Sequence, residues 1–271
     1  MAAFNRTLKR KSDAEQIACG FGSPNGPDQI DDIAKFSRPD CWSTEAEILD
    51  DSGTCSPLVS PGKSCEQQFF EAFNATFGRD PNHEPPADVE RIKTLLESGQ
   101  IPVNARDGKN CTVLHHFCRK MPDLETVEWL LSNGADVNFK NDFNSTPLIV
   151  SCMFGHFHLV TLLLKYGAEA NFVNHFNETP LWKVCRRTDA TLEVVKCLLE
   201  KMTIGTLNMA SMRDINFCSS KCVSTVAGST ALHCATRANL SPDILNLLIK
   251  SGADVHALDS NNKTAQQYLL H

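Results

Sequence analysis

A threonine-led segment recurs along this chain at a nearly constant step. Thr112-Val-Leu-His115, Thr146-Pro-Leu-Ile149, Thr179-Pro-Leu-Trp182 and Thr230-Ala-Leu-His233 each open a run of helical periodicity, and Thr264-Ala-Gln-Gln267 opens a shorter one. The Thr-to-Thr steps are 34, 33, 51 and 34 residues. A fixed period of this size marks a solenoid, whose units bury their apolar faces only against their neighbours. The ends of the units agree as well: Trp129-Leu-Leu-Ser-Asn-Gly-Ala-Asp-Val-Asn138, Leu162-Leu-Leu-Lys-Tyr-Gly-Ala-Glu-Ala-Asn171 and Leu247-Leu-Ile-Lys-Ser-Gly-Ala-Asp-Val-His256.

Each recurring residue has a physical task. Thr146 and Thr179 are placed to cap a helix N-terminus, accepting a first-turn N–H. Pro147 and Pro180 follow at the first helical position, where a missing N–H costs nothing. Leu148 and Leu181 point into the hairpin core. Gly134, Gly167 and Gly252 stand where a left-handed residue ends the second helix. Stretches such as Asn141-Asp-Phe-Asn144 carry turn chemistry.

Together the T-P-L-H start, the mid-unit Gly155-His156 and the L-L-x-x-G-A-D-V-N end resemble the ankyrin-repeat family, over about residues 88 to 271. The resemblance implies an all-α solenoid of stacked helix–turn–helix units, each a β-turn finger plus two antiparallel helices. Residues 63–106 read as an N-terminal capping repeat: Val89–Gly99 supplies its second helix, and Ser64–Phe77 its first, with Phe69, Phe70, Phe73 and Phe77 on one face. Residues 107–271 read as the array, with insertions at about 201–226 and a truncated last repeat at 261–271. Asp214-Ile-Asn-Phe217 echoes Asp136-Val-Asn-Phe139. That echo divides the excess into about ten residues after the helix Leu192–Glu200 and about six in the finger, Cys218–Val226. Such a lengthening is either a tolerated surface loop or a protrusion that touches a partner.

Composition narrows the function. The chain has 271 residues, is 42% apolar and carries a formal charge of -6, so it has no global attraction to nucleic acid or anionic membrane. No apolar run reaches membrane-spanning length, and Met1–Lys11 lacks the apolar stretch of a secretory signal. The expected setting is cytoplasmic or nuclear, where the 12 cysteines stay reduced. Cys118, Cys152, Cys185 and Cys234 fall in or beside apolar helical runs, as small hydrophobes do. Cys218 and Cys222, spaced C-x3-C, lack the second pair that a structural zinc needs. No phosphate loop, nucleophile elbow, zincin or kinase motif is present. His115, His116 and His233 have no catalytic partners, and the resemblance makes the T-P-L-H histidine a structural residue at the unit junction. No catalytic, cofactor-binding or metal-ligating residue is therefore assigned.

What remains is binding. In ankyrin-type stacks partners meet the finger tips and the concave face. The concave pairs here are Arg119-Lys120, Met153-Phe154, Arg186-Arg187 and Arg237-Ala238, and the finger tips add Lys109, Phe143, His175 and Phe176. Three of these four pairs are basic on an acidic chain, which suits an acidic or phosphorylated peptide with an apolar anchor.

Residues 1–62 differ in character: rich in Pro, Gly, Ser and Asp without long periodicity, they read as a disordered regulatory tail. Within it, Asp51-Ser-Gly-Thr-Cys-Ser56 matches D-S-G-x-x-S, which resembles the phosphodegron read by the beta-TrCP ubiquitin ligase adaptor. Phosphorylation at Ser52 and Ser56 adds charge and acceptors for an Arg-lined receptor. A tail of this kind ahead of such repeats is similar to inhibitors of NF-κB, and the likeness implies masking of a Rel-type transcription factor, with Lys35 as the ubiquitin acceptor. An alternative is a substrate-binding adaptor of a ubiquitin ligase. Leu130, eight residues before Asn138, gives a spacing similar to substrates of the asparaginyl hydroxylase that acts on ankyrin repeats.

Overall fold

The computed structural model describes residues 66, 69–70, 86–120, 123–215 and 220–269. Helix α1 (Pro86–Glu97) leads into hairpins formed by α2 (Val113–Lys120) with α3 (Leu124–Ser132) and by α4 (Pro147–Phe154) with α5 (Phe157–Lys165). A third hairpin pairs α6 (Pro180–Cys185) with α7 (Leu192–Leu199), and the single turn α8 (Ile204–Leu207) follows it. The last hairpin pairs α9 (Ala231–Arg237) with α10 (Pro242–Lys250), and a 3-10 turn, Ala265–Tyr268, packs on α9. The first helices stack in the order α2, α4, α6, α9 and the second helices in the order α3, α5, α7, α10. Among the described residues there is no strand, only isolated antiparallel bridges.

The local chemistry follows the sequence pattern. Thr146 and Thr179 accept from the N–H groups of Ile149 and Trp182, and proline holds the next position in both helices. Leu114, Leu148, Leu181 and Leu232, at one position of successive units, are buried. Each contributes roughly 1.5–3 kcal/mol by leaving water. At the front edge Phe69 and Phe70 are buried, as are Val89 and Ile92; the rest of the 64–77 segment apart from residue 66, Phe73 and Phe77 included, lies outside the described residues. Cys118, Cys152, Cys185 and Cys234 are buried free thiols. Burial pushes Cys118 and Cys185 up to about 12, so they are packing residues rather than nucleophiles.

Two ladders fix the register of the stack. In the first, an asparagine side chain spans consecutive units. Asn104 donates to the Gly134 carbonyl and accepts from the Asp136 N–H; Asn138 does the same with Gly167 and Glu169. Asn171 does so with Lys201 and Thr203, and Asn208 with Gly252 and Asp254. In the second, finger tips join by backbone bonds: Asp142 N–H to Lys109, His175 N–H to Phe143, Met212 N–H to Phe176, and Ser260 N–H to Ala227.

These ladders correct the division of the long unit. The counterpart of Asn138 is Asn208, not Asn216, so Asp214-Ile-Asn-Phe217 is a false echo. Between the helix end and that asparagine the chain gains three residues (Lys201 to Asn208 against Gly134 to Asn138), and they wind into α8, whose Leu207 is buried. The finger base closes by an N–H to carbonyl bond from Asn141 to Ser145 in one unit and from Ser211 to Ser229 in the long one, an excess of fourteen residues. The insertion is therefore concentrated at the finger. Gly228 returns the chain at φ +77, against the backbone of Asp259 at 3.0 Å from where a Cβ would stand. No L side chain fits there without strain.

His115 ties the first hairpin to the second. Its Nδ1 accepts from the Thr112 N–H, and its Nε2–H donates to the Ser145 carbonyl at 3.0 Å. Burial brings its pKa down to about 4. The unfolded side chain binds a proton near pH 6.5 while the folded one resists, so this contribution is complete above about pH 6.5 and is lost as pH falls towards 4. A single such group steepens the loss by up to about 1.4 kcal/mol per pH unit in that window. Urea midpoints measured between pH 7 and 4.5 should show a slope reduced by about one proton in His115→Ile, the residue that Ile149 supplies at the same position. An unchanged slope would show that His115 titrates normally.

Candidate functional site

The concave pairs sit at the C-terminal ends of the inner helices, where the repeat places them, yet the structure gives them different duties. Arg187 is buried. Its Nε and Nη2 donate to the two carboxylate oxygens of Asp189, both at 2.8 Å, and its Nη1 donates to the Met153 carbonyl at 3.0 Å. The guanidinium presses on Gly155, where a Cβ would meet it at 2.3 Å; Gly155 also ends α4 at φ +79. Arg187 is thus a rivet between hairpins, and the expectation that it lines an open groove is corrected.

The inserted finger covers its neighbours. The Arg186 carbonyl accepts from the Val223 N–H, and the Arg186 Nε donates back to the Val223 carbonyl at 2.7 Å. Thr188 N–H donates to the Lys221 carbonyl, and Arg187 bridges Cys222 in antiparallel fashion. Arg237 Nε donates to the Ser224 carbonyl at 2.9 Å. Residues 221–224 therefore form an extended strap across the ends of α6 and α9, and the guanidinium groups that should have faced a partner hold this chain's own backbone. Ile215 and Thr225 pair antiparallel at the root of the strap.

The front half of the face is different. Among the described residues the strap's hydrogen bonds run to the ends of α6 and α9. Arg119 lies over the Phe154 ring at 5.7 Å, and His156 stacks on the same ring. Phe154 is 37% exposed. Lys120 is held below the ordinary lysine range by burial and by the charge of Arg119, and Arg119 is itself lowered by burial. Met153, half-buried, completes this rung.

The finger tips Lys109, Phe143, His175 and Phe176 are brought into one row by the backbone ladder. His175 is exposed, Lys109 and Phe143 are half-buried, and Phe176 is roofed by Arg213 at 3.6 Å. Asn138 is half-buried with both ends of its amide engaged in the asparagine ladder. Ser52, Ser56 and Lys35 lie outside the described residues. His233 repeats the role of His115, its Nε2–H donating to the Lys263 carbonyl at 3.0 Å. Among the described residues no three metal-ligating side chains converge, and no helix is long and apolar enough to cross a membrane.

Sequence reasoning missed a second feature. Between the strap and the closing turn lies a cleft of about 590 Å³, lined by Thr188, Ser220, Val223, Ser224, Lys263 and Tyr268 together with Arg237 and Cys222. Nothing in the sequence signals it, because it exists only once the finger folds back.

Comparison with known proteins places this architecture. A family model described as ankyrin repeats matches in three copies, over residues 87–172, 114–208 and 150–259. An ankyrin repeat protein of Fowlpox virus (strain NVSL) is 28% identical over 176 residues, covering 65% of this chain and 83% of its own. Alpha-latrocrustotoxin-Lt1a of Latrodectus tredecimguttatus is 33% identical over 82 residues, which are 26% of this chain and 6% of the toxin. A chain in the solved complex of the Bd0816 predatory endopeptidase from Bdellovibrio bacteriovorus with immunity protein Bd3460 superposes with a TM-score of 0.53 at 21% identity, covering 68% of this chain and 86% of that one. That likeness is one of fold.

Proposed function

This chain belongs to the ankyrin-repeat family, and we propose on that premise that it is a non-enzymatic scaffold gripping an acidic or phosphorylated segment of a partner protein. The family indicates a protein–protein interaction scaffold. The choice of partner chemistry rests on one observation: the basic Arg119–Lys120 pair beside the half-open Phe154 ring, over which Arg119 lies. A carboxylate or phosphate there meets two cations, and an adjacent apolar side chain meets the aromatic surface. The finger-tip row extends the same surface.

Charge reversal at Arg187 would report on folding rather than binding, because that side chain is buried against Asp189. The informative variant is Arg119→Glu with Lys120→Glu in the full chain. Its affinity for acidic and phosphorylated peptides from an immobilised library should fall at least about tenfold, and wild-type binding should weaken with added salt. Undiminished binding by a variant of unchanged melting temperature would refute the reading.

The Asp51–Ser56 motif favours one more specific version, an inhibitor-of-NF-κB-like protein that masks a Rel-type transcription factor in the cytoplasm or nucleus until Ser52 and Ser56 are phosphorylated. In that version beta-TrCP reads the phosphorylated motif and Lys35 accepts ubiquitin. Replacing both serines by alanine should prolong the chain's half-life after inflammatory stimulation, and the chain should co-precipitate with a Rel-homology protein. Equal half-lives and no co-precipitation would discard this version while leaving the scaffold reading intact.

A further inference from the structure

The cleft behind the strap has the makings of an anion site that a plain repeat array would lack. Arg237 is fixed in place: its Nε and Nη2 donate to the carbonyl and hydroxyl of Ser224, at 2.9 and 3.3 Å. Its guanidinium carbon lies 4.6 Å from the Tyr268 ring centroid, and the Lys263 ammonium stands 5.4 Å from the same ring. Among the described residues the hydrogen bonds of Arg237 use Nε and Nη2, and the Lys263 ammonium stands over the Tyr268 ring, so both cations retain donors. Asp189, next to the lining residue Thr188, has its carboxylate held by Arg187 and Lys221, and the carboxylate of Asp259 lies behind Tyr268. The Asp259 carboxylate is occupied by the Tyr268 hydroxyl and by the N–H groups of Asn261 and Lys263, and those bonds outweigh burial and hold it below the usual carboxylate range. Across the cleft Thr188, Ser220 and Ser224 contribute hydroxyls, and Val223 contributes an apolar wall.

We propose that this cleft receives the phosphate of a phosphorylated serine or threonine in the partner segment. The inference rests on the reading of the concave face as the partner surface and adds a second, strap-built anchor to it. A phosphate monoester suits the donor set better than a carboxylate. It offers three acceptor oxygens to a guanidinium, an ammonium and several hydroxyls, and its charge of about -1.5 to -2 answers the two cations. The cleft is shallow and open to one side, so a phosphorylated side chain can enter it from solvent. The strap is essential to the site: it orients Arg237 and supplies Val223 and Ser224.

The test uses the isotopically labelled full chain, titrated with N-acetyl-phosphoserine amide and, separately, with N-acetyl-glutamate amide and sodium sulfate at matched ionic strength. Phosphoserine should give saturable amide shifts at Ser224, Arg237 and Lys263, with the other two probes at least about tenfold weaker. Lys263→Gln, whose backbone still accepts from His233, should weaken phosphoserine about tenfold, and Lys263→Arg should recover it. Equal affinity in Lys263→Gln, or equal response to sulfate, overturns the site. A glutamate probe that binds as tightly as phosphoserine overturns the choice of phosphate. If the cleft fails while Arg119→Glu with Lys120→Glu still loses peptide binding, the front-face reading survives alone.

Discussion

Glu178→Ala is expected to destabilise the array by about 3–5 kcal/mol, because it strands a buried ammonium. Glu178 is fully buried and Lys183 is 4% exposed, with Nζ to Oε2 at 2.6 Å. Asn174 donates to the same oxygen, and Arg213 Nε reaches Oε1 at 3.3 Å. Burial alone would push this carboxyl up; Lys183 and Arg213 outweigh it and hold it below the usual carboxylate range. The stabilisation is thus fully present above the unfolded value near pH 4.3 and is lost as pH falls through the lower folded value. The other units show how to remove the cluster without harm. Ser145 and Val150 occupy the corresponding positions in the second hairpin, and Ser229 and Cys234 occupy them in the last. Glu178→Ser combined with Lys183→Val should therefore recover most of the stability, since Arg213 is partly solvated and keeps its stack on Phe176. Chemical denaturation of the two single variants and the double variant measures the coupling. A double variant no more stable than Glu178→Ala would mean that the pair is not the source of the loss.

The cluster also explains which parts of the molecule were legible beforehand. Thr146, Pro147 and Gly155 announce a helix and its end through local chemistry, and a reader of sequence needs no partner to see it. His115 and His233 could be assigned to the junction because the repeat repeats them. The long finger obeyed no such local rule. Asp214-Ile-Asn imitates the unit end closely enough to capture the register, whereas the true counterpart, Thr206-Leu-Asn208, closes the single helical turn α8 and has no glycine–alanine pair before it. Its identity lies in two hydrogen bonds to residues more than forty positions away. The basic rungs failed for a related reason. Composition shows that Arg186, Arg187 and Arg237 are cationic, but not that residues 221–224 will lie across them or that Asp189 will pair with Arg187. Repeat logic places side chains on a face; an insertion decides what else comes to that face.

Trp182 is where that insertion is joined to the stack, and Trp182→Ala should cost about 3–5 kcal/mol. The indole is fully buried and stands where His115 and His233 stand in their units. Like their Nε2–H groups it reaches forward to a finger carbonyl, its Nε1–H donating to Ser229 at 2.8 Å. That carbonyl also accepts from the Ser211 N–H, so a single oxygen closes the base of the long finger and bonds it to the preceding hairpin. Trp182→Phe keeps most of the packing and loses this bond, for about 1–3 kcal/mol. In a stack held together by nearest-neighbour interfaces, weakening one interface separates the units on either side of it. The alanine variant should therefore unfold in two steps, with α9, α10 and the strap released before α2 to α5. Hydrogen exchange would show it as early loss of protection at Val223, Ala238 and Ala253 while Leu130 and Leu163 stay protected. A single cooperative transition with uniform exchange would show that the junction at Ser229 does not couple the two halves.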